Sequence, residues 1–268
     1  MSHPVEALAS RYPQLCIPIQ SGISSAAEYQ NVCLKGDPIS RKPEFNTTAE
    51  DRLETVSTSA GDVEILYLAD RDDFVHAYRA LGFKCEPVNI PSSCGAVTLL
   101  KLNNWEKIRA LSLPLAFSDP SLYKDTLILL SKGPYSGVPA DAFNFDDEKW
   151  IDDSYTIRKN HELTHFISRN RFPDNKEDIR DEVMADMIGL LSAYGRYDTS
   201  IARRFLGIDV NPCRESGRIH IYIKKDGSPD AAVLRANAII DCFAKNLPEN
   251  IPDPFDILTD FETKKLAL

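Results

Sequence analysis

Apolar positions along the chain follow two periods. Residues 63–69, 95–102 and 126–131 are short aliphatic runs set off by turn residues such as Ala60-Gly61 and Gly133-Pro134, and they predict three strands. Residues 70–82 carry Phe74, Val75, Tyr78 and Leu81 at helical spacing, with Asp70 as a cap and Gly82 as a stop, and predict a helix. Asn103 or Asn104 caps a further short helix reaching Leu113. Residues 1–45 hold one short helical stretch, 4–11, among Pro13, Pro18, Pro38 and Pro43; residues 49–58 are polar, and 85–93 read as loop.

Later in the chain the period becomes helical. Asp153 or Ser154 caps a helix anchored by Tyr155, Ile157, Leu163, Phe166 and Ile167, and Phe172-Pro173-Asp174-Asn175 breaks it. A second helix over 176–194 buries Ile179, Val183, Met187, Leu190 and Leu191, and further helices are predicted over 199–206, 230–246 and 253–265. Residues 217–225 alternate like a strand yet lie where a helical lobe places a helix, and the pattern leaves both open. The whole reads as α+β, with a mixed α/β lobe over residues 1–150 and a mainly helical lobe over residues 151–268.

Composition narrows the partners. The 268 residues can bury a full core, and 43% hydrophobic with 26% charged residues is ordinary for a globular protein. No apolar run is long enough to cross a bilayer, so no membrane partner is expected. The net charge of −9 counts against nucleic acid, because phosphate binding needs a concentrated basic face. The N-terminal residues lack the basic start and apolar stretch of a secretory signal, which predicts a cytoplasmic protein. Cys16, Cys33, Cys85, Cys94, Cys213 and Cys242 show no CxxC spacing and predict reduced thiols that take no part in metal binding. Asn46-Thr47-Thr48 is a glycosylation sequon that matters only on a secretory route. Neither a P-loop nor a dinucleotide fingerprint is present.

The chemistry concentrates in two consecutive helices. His161 and His165 are four residues apart, so one helix face offers two imidazole nitrogens to a single ion, with Glu162 beside them to act on a water. A catalytic zinc takes three protein ligands and leaves a fourth position open, and Glu182 on the second helix is the candidate for the third. Asp186, one turn later, is placed to accept the free ring N–H of a ligand histidine.

His161-Glu162-Leu163-Thr164-His165 followed by Glu182-Val183-Met184-Ala185-Asp186 resembles the gluzincins, zinc metallopeptidases of the thermolysin type, whose active-site helices carry HExxH and ExxxD. The resemblance covers about residues 154–195, and the sixteen residues between His165 and Glu182 make a spacer shorter than that family's thermolysin-like and aminopeptidase-like members lead one to expect. It implies a zincin-like two-lobed fold, a Zn2+ ion held by His161, His165 and Glu182, Glu162 as general base, Asp186 behind the ligands, and a peptide or protein substrate. In such folds an edge strand of the first lobe pairs with the extended substrate, and the strands at 95–102 and 126–131 are the candidates.

Hydrolysis also benefits from a donor to the developing oxyanion, and Arg218, His220 and Tyr222 are the candidates. Arg218 and Tyr222 share a face in either a helix or a strand, whereas His220 joins them only in a strand. The competing roles are a salt bridge to one of the many carboxylates for Arg218 and core packing for Tyr222. Two functions follow: a zinc-dependent hydrolase, or a zinc-stabilised binding or regulatory protein. Glu162 favours the first, because a structural zinc site needs no general base.

Overall fold

The computed structural model describes residues 3–46, 48–111, 119–176, 178–210, 213–215, 217–223 and 228–267. The protein is α+β and forms two compact units, Met1–Ser92 with Ala96–Lys132, and Ser93–Gly95 with Gly133–Leu268.

The first unit is built on a four-stranded sheet. After helix α1 (Pro4–Ala9), strands β1 (Arg52–Thr58) and β2 (Gly61–Leu68) form an antiparallel hairpin around Ala60-Gly61. Helix α2 (Arg71–Gly82) follows, with the Asp70 carboxylate accepting from the amides of Asp72 and Asp73 as the capping pattern requires. Strand β3 (Ala96–Asn103), helix α3 (Trp105–Ala110) and strand β4 (Lys124–Ser131) complete the unit. Asn104 is the cap of α3, which ends at Ala110; the expected end at Leu113 lies outside the described residues, as does Thr47 of the sequon.

The strand order is β1-β2-β4-β3, with β2 and β4 parallel and the outer pairs antiparallel. Strand β1 is a correction to the polar reading of 49–58: an edge strand exposed on one face needs few apolar residues. Strand β4 lies between β2 and β3, so the run at 126–131 is not the substrate-pairing edge strand that was one of two candidates. Its continuous burial from Leu127 to Leu130 is what a strand covered on both faces requires. With Ile65, Leu66 and Leu68 of β2 and Phe74 and Ala77 of α2, these residues form the core of the unit. Each such aliphatic side chain contributes about 1.5–3 kcal/mol.

The second unit is helical. Helix α4 (Asp147–Arg171) starts well before the expected cap at 153 or 154, because the Asp146 carboxylate already accepts from the Lys149 amide. Helix α5 (Asp178–Tyr194) packs along it, followed by α6 (Thr199–Leu206), α7 (Pro229–Asn246) and α8 (Pro254–Thr263). Close packing of α4 on α5 depends on Gly189, where a Cβ would sit 2.8 Å from the carbonyl oxygen of Ile157. The last helix is locked by Glu262, buried against Arg180 at 3.2 Å and bonded by the Asn175 side-chain amide.

The expected boundary at 150/151 moves to 132/133. Residues after Gly133 belong with the helices: Phe143 and Trp150 pack around Phe205, and the Trp150 indole donates to the Val138 carbonyl at 2.8 Å. Within residues 217–225, left open between strand and helix, Arg218–Ile221 form a 3-10 turn; Lys224 and Lys225 lie outside the described residues. Among the described residues no cysteine pair forms a disulfide, and no helix is long and apolar enough to cross a membrane.

Candidate metal centre

The second unit gathers the candidate ligands. His161 and His165 stand on one face of α4 with their Nε2 atoms 3.1 Å apart. Glu182 of α5 reaches both, with Oε1 3.3 Å from His165 Nε2 and Oε2 3.6 Å from His161 Nε2. Both histidines are buried, and Glu182 keeps 19% of its side chain exposed, so the cluster retains an outlet to solvent.

The spacing suits a metal ion. Bonds of about 2.0–2.1 Å arranged tetrahedrally put neighbouring ligand atoms about 3.3–3.4 Å apart; the two imidazole nitrogens are 3.1 Å apart, and one atom from each of the three residues lies within 4.8 Å of the others. Two imidazoles and one carboxylate also match the chemistry zinc prefers at sites with an open fourth position. Glu162, next to His161, is buried, and its charge acts on His165.

Asp186 lies one turn beyond Glu182 and is 1% exposed. Its Oδ1 is 3.0 Å from His161 Nδ1, the ring nitrogen facing away from Glu182. Sequence reading missed a further member, Tyr135, whose hydroxyl is 2.6 Å from Asp186 Oδ1 and 2.7 Å from His161 Nδ1. Tyr135 sits in a tight turn, 135–137, flanked by Gly133-Pro134 and closed by Ser136 in the left-handed region. The turn signal is legible in the sequence, but a contact spanning 51 residues to Asp186 leaves no trace there.

Arg218 and Tyr222 arrive from the 3-10 turn. The Arg218 guanidinium contacts Asp186 through both terminal nitrogens and reaches Glu182 Oε2 at 3.1 Å. It also donates to the hydroxyls of Tyr135 and Ser136. Tyr222 lies close enough to Glu182 for the carboxylate to act on its phenol. His220 does not join them. It is exposed, with Nε2 2.9 Å from the Arg214 carbonyl oxygen, because the segment is not the strand that would have aligned all three. Gly207, which ends α6 at a φ of 76°, lies so close to Gly217 that a Cβ would be 2.5 Å from its Cα. That backbone contact fixes where the 3-10 turn begins, and hence where Arg218 points.

Charge is balanced inside the cluster. Burial raises the Asp186 carboxyl, but the Arg218 charge and the bond to His161 outweigh it and hold the acid below its ordinary range. Burial acts on Glu182 in the same way, and His165, His161 and Arg218 together pull it well down. For His165, burial works against the charged ring, yet the Glu182 carboxylate prevails and raises it. Burial and the nearby carboxylates push the phenols of Tyr135 and Tyr222 up, so both remain hydrogen-bond donors.

Comparison with known proteins adds membership but no activity. Residues 2–117 and 115–260 match a family described as Family of unknown function (DUF7005), and the chain belongs to that family. No curated protein matches the chain, and no solved structure does.

Proposed function

We propose that this protein is a zinc-dependent hydrolase of the zincin type, a metallopeptidase acting on peptides or proteins. The observation that carries the reading is the cluster of His161, His165 and Glu182 on two consecutive helices, with one ligand atom from each lying within 4.8 Å of the others. Those helices carry HExxH and ExxxD, as in the zincin-like fold expected from the sequence. Zinc bound there supplies a Lewis acid that makes water nucleophilic near neutral pH.

The chain's own groups do the rest. Glu162 takes the proton of the attacking water and passes it to the leaving amine. Tyr222, kept protonated beside Glu182, donates to the carbonyl oxygen as charge develops on it. Arg218 is not the donor in this scheme, because both its terminal nitrogens are held by Asp186, with Glu182 and Tyr135 sharing them. It neutralises the carboxylates and holds the ligand Glu182 in place.

The reading is tested by offering a peptide library to zinc-loaded protein, with a chelator-treated control. Cleavage that needs zinc is expected. A library left intact by protein of full zinc occupancy would favour the binding or regulatory alternative.

A further inference from the structure

We infer that Tyr135 is a positioning residue of the metal centre, whose hydroxyl fixes the His161 tautomer that turns Nε2 toward the metal. The inference rests on the zinc reading proposed above. A proton count carries it. The Tyr135 hydroxyl has one proton and two close neighbours, Asp186 Oδ1 at 2.6 Å and His161 Nδ1 at 2.7 Å. Asp186 is an ionised carboxylate held beside Arg218, so it only accepts, and the shorter, charge-assisted contact takes the phenolic proton.

The phenolic oxygen is then an acceptor toward its other neighbours. Arg218 Nη1, at 3.3 Å, donates to it. His161 Nδ1 faces this oxygen and Asp186 Oδ1 at 3.0 Å, both acceptors, and so must itself carry the proton. In a neutral imidazole the proton on Nδ1 leaves a lone pair on Nε2, the atom that faces His165 and Glu182. Asp186 alone, at the longer distance and shared with Arg218, orients the ring less tightly than the pair does.

The hydroxyl is held from several sides. The Tyr135 amide donates to buried Ser154 Oγ at 2.9 Å, and Arg158 bonds the carbonyls of Gly133 and Pro134 at 3.1 and 3.2 Å. The ring packs edge-on against Phe205, with centroids 4.7 Å apart. Ser154 and Arg158 both belong to α4, the helix that carries His161. The turn and the ligand therefore share one rigid support.

Tyr135→Phe keeps the ring and removes only the hydroxyl, so zinc affinity, measured by chelator competition, is expected to fall about 10–100-fold. Tyr12→Phe removes a buried hydroxyl from the other unit, where it bonds Asp125, and should leave zinc affinity unchanged. Nitrogen-15 NMR of metal-free wild type at about pH 8 should show His161 with its proton on Nδ1, and Tyr135→Phe should shift that signal. An Nε2–H tautomer in the wild type overturns the inference without reference to any variant. Unchanged affinity in Tyr135→Phe, with wild-type binding that depends on His161, overturns the role of Tyr135 alone. Zinc binding that survives His161→Ala undiminished overturns the metal-centre reading as well.

Discussion

Arg218 and Asp186 meet through three nitrogen–oxygen contacts of 3.2, 3.2 and 3.3 Å, with Asp186 only 1% exposed. Removing one partner of such a pair leaves a buried charge without compensation. Arg218→Ala should therefore destabilise the metal-free protein by about 3–5 kcal/mol, read from urea denaturation. A loss under about 1 kcal/mol would mean the pair is effectively solvated.

Asp186 also lies beside His161, a proposed ligand. Asp186→Asn keeps the shape but removes the charge, and zinc affinity should drop about 10–100-fold while the fold persists. An unchanged dissociation constant in chelator competition would remove Asp186 from the centre.

Gly189 couples packing to the site. A methyl group there would lie 2.8 Å from the Ile157 carbonyl oxygen, so Gly189→Ala must push α5 away from α4. The strain should cost about 1–3 kcal/mol and lower the melting temperature. Because His161 and His165 lie on one helix and Glu182 on the other, zinc affinity should fall with it. A variant with wild-type stability and affinity would show that the two helices can separate freely.

Asp209 gives a pH signature away from the ligands. Bonds from Arg214 and Arg204 hold its carboxyl down to about 2 against a modest opposing effect of burial. A depressed folded pKa contributes stability that is fully present above the unfolded value of about 3.9 and is lost as pH falls toward the folded one. The stability difference between wild type and Asp209→Asn should therefore shrink between about pH 4 and pH 2. A difference that stays constant over this window would contradict the assignment.

The site was legible where its chemistry is local. Four-residue spacing places His161 with His165, and Glu182 with Asp186, whatever the rest of the chain does. Strands β2, β3 and β4 followed from aliphatic runs, whereas β1 was hidden because an edge strand tolerates polar residues. Arg218 and Tyr222 both act on Glu182, whereas exposed His220 does not join them, because the segment is a 3-10 turn and not the strand that would align all three. Of the two roles weighed for Arg218, oxyanion donor or salt-bridge partner, its contacts with Glu182 and Asp186 are those of the salt bridge. Tyr135 escaped notice because its partners lie 26, 51 and 83 residues away, and only tertiary structure brings them together.

Glu162 decides between a hydrolytic centre and a structural one, because it stands beside the proposed ligand His161 without being needed to hold a metal. The direct measurement compares wild type with Glu162→Gln on a cleaved peptide at equal zinc occupancy. The account predicts unchanged metal content and a rate lower by about 10²–10⁴-fold, the usual cost of losing a general base. Cleavage at the wild-type rate by the zinc-loaded variant would contradict it.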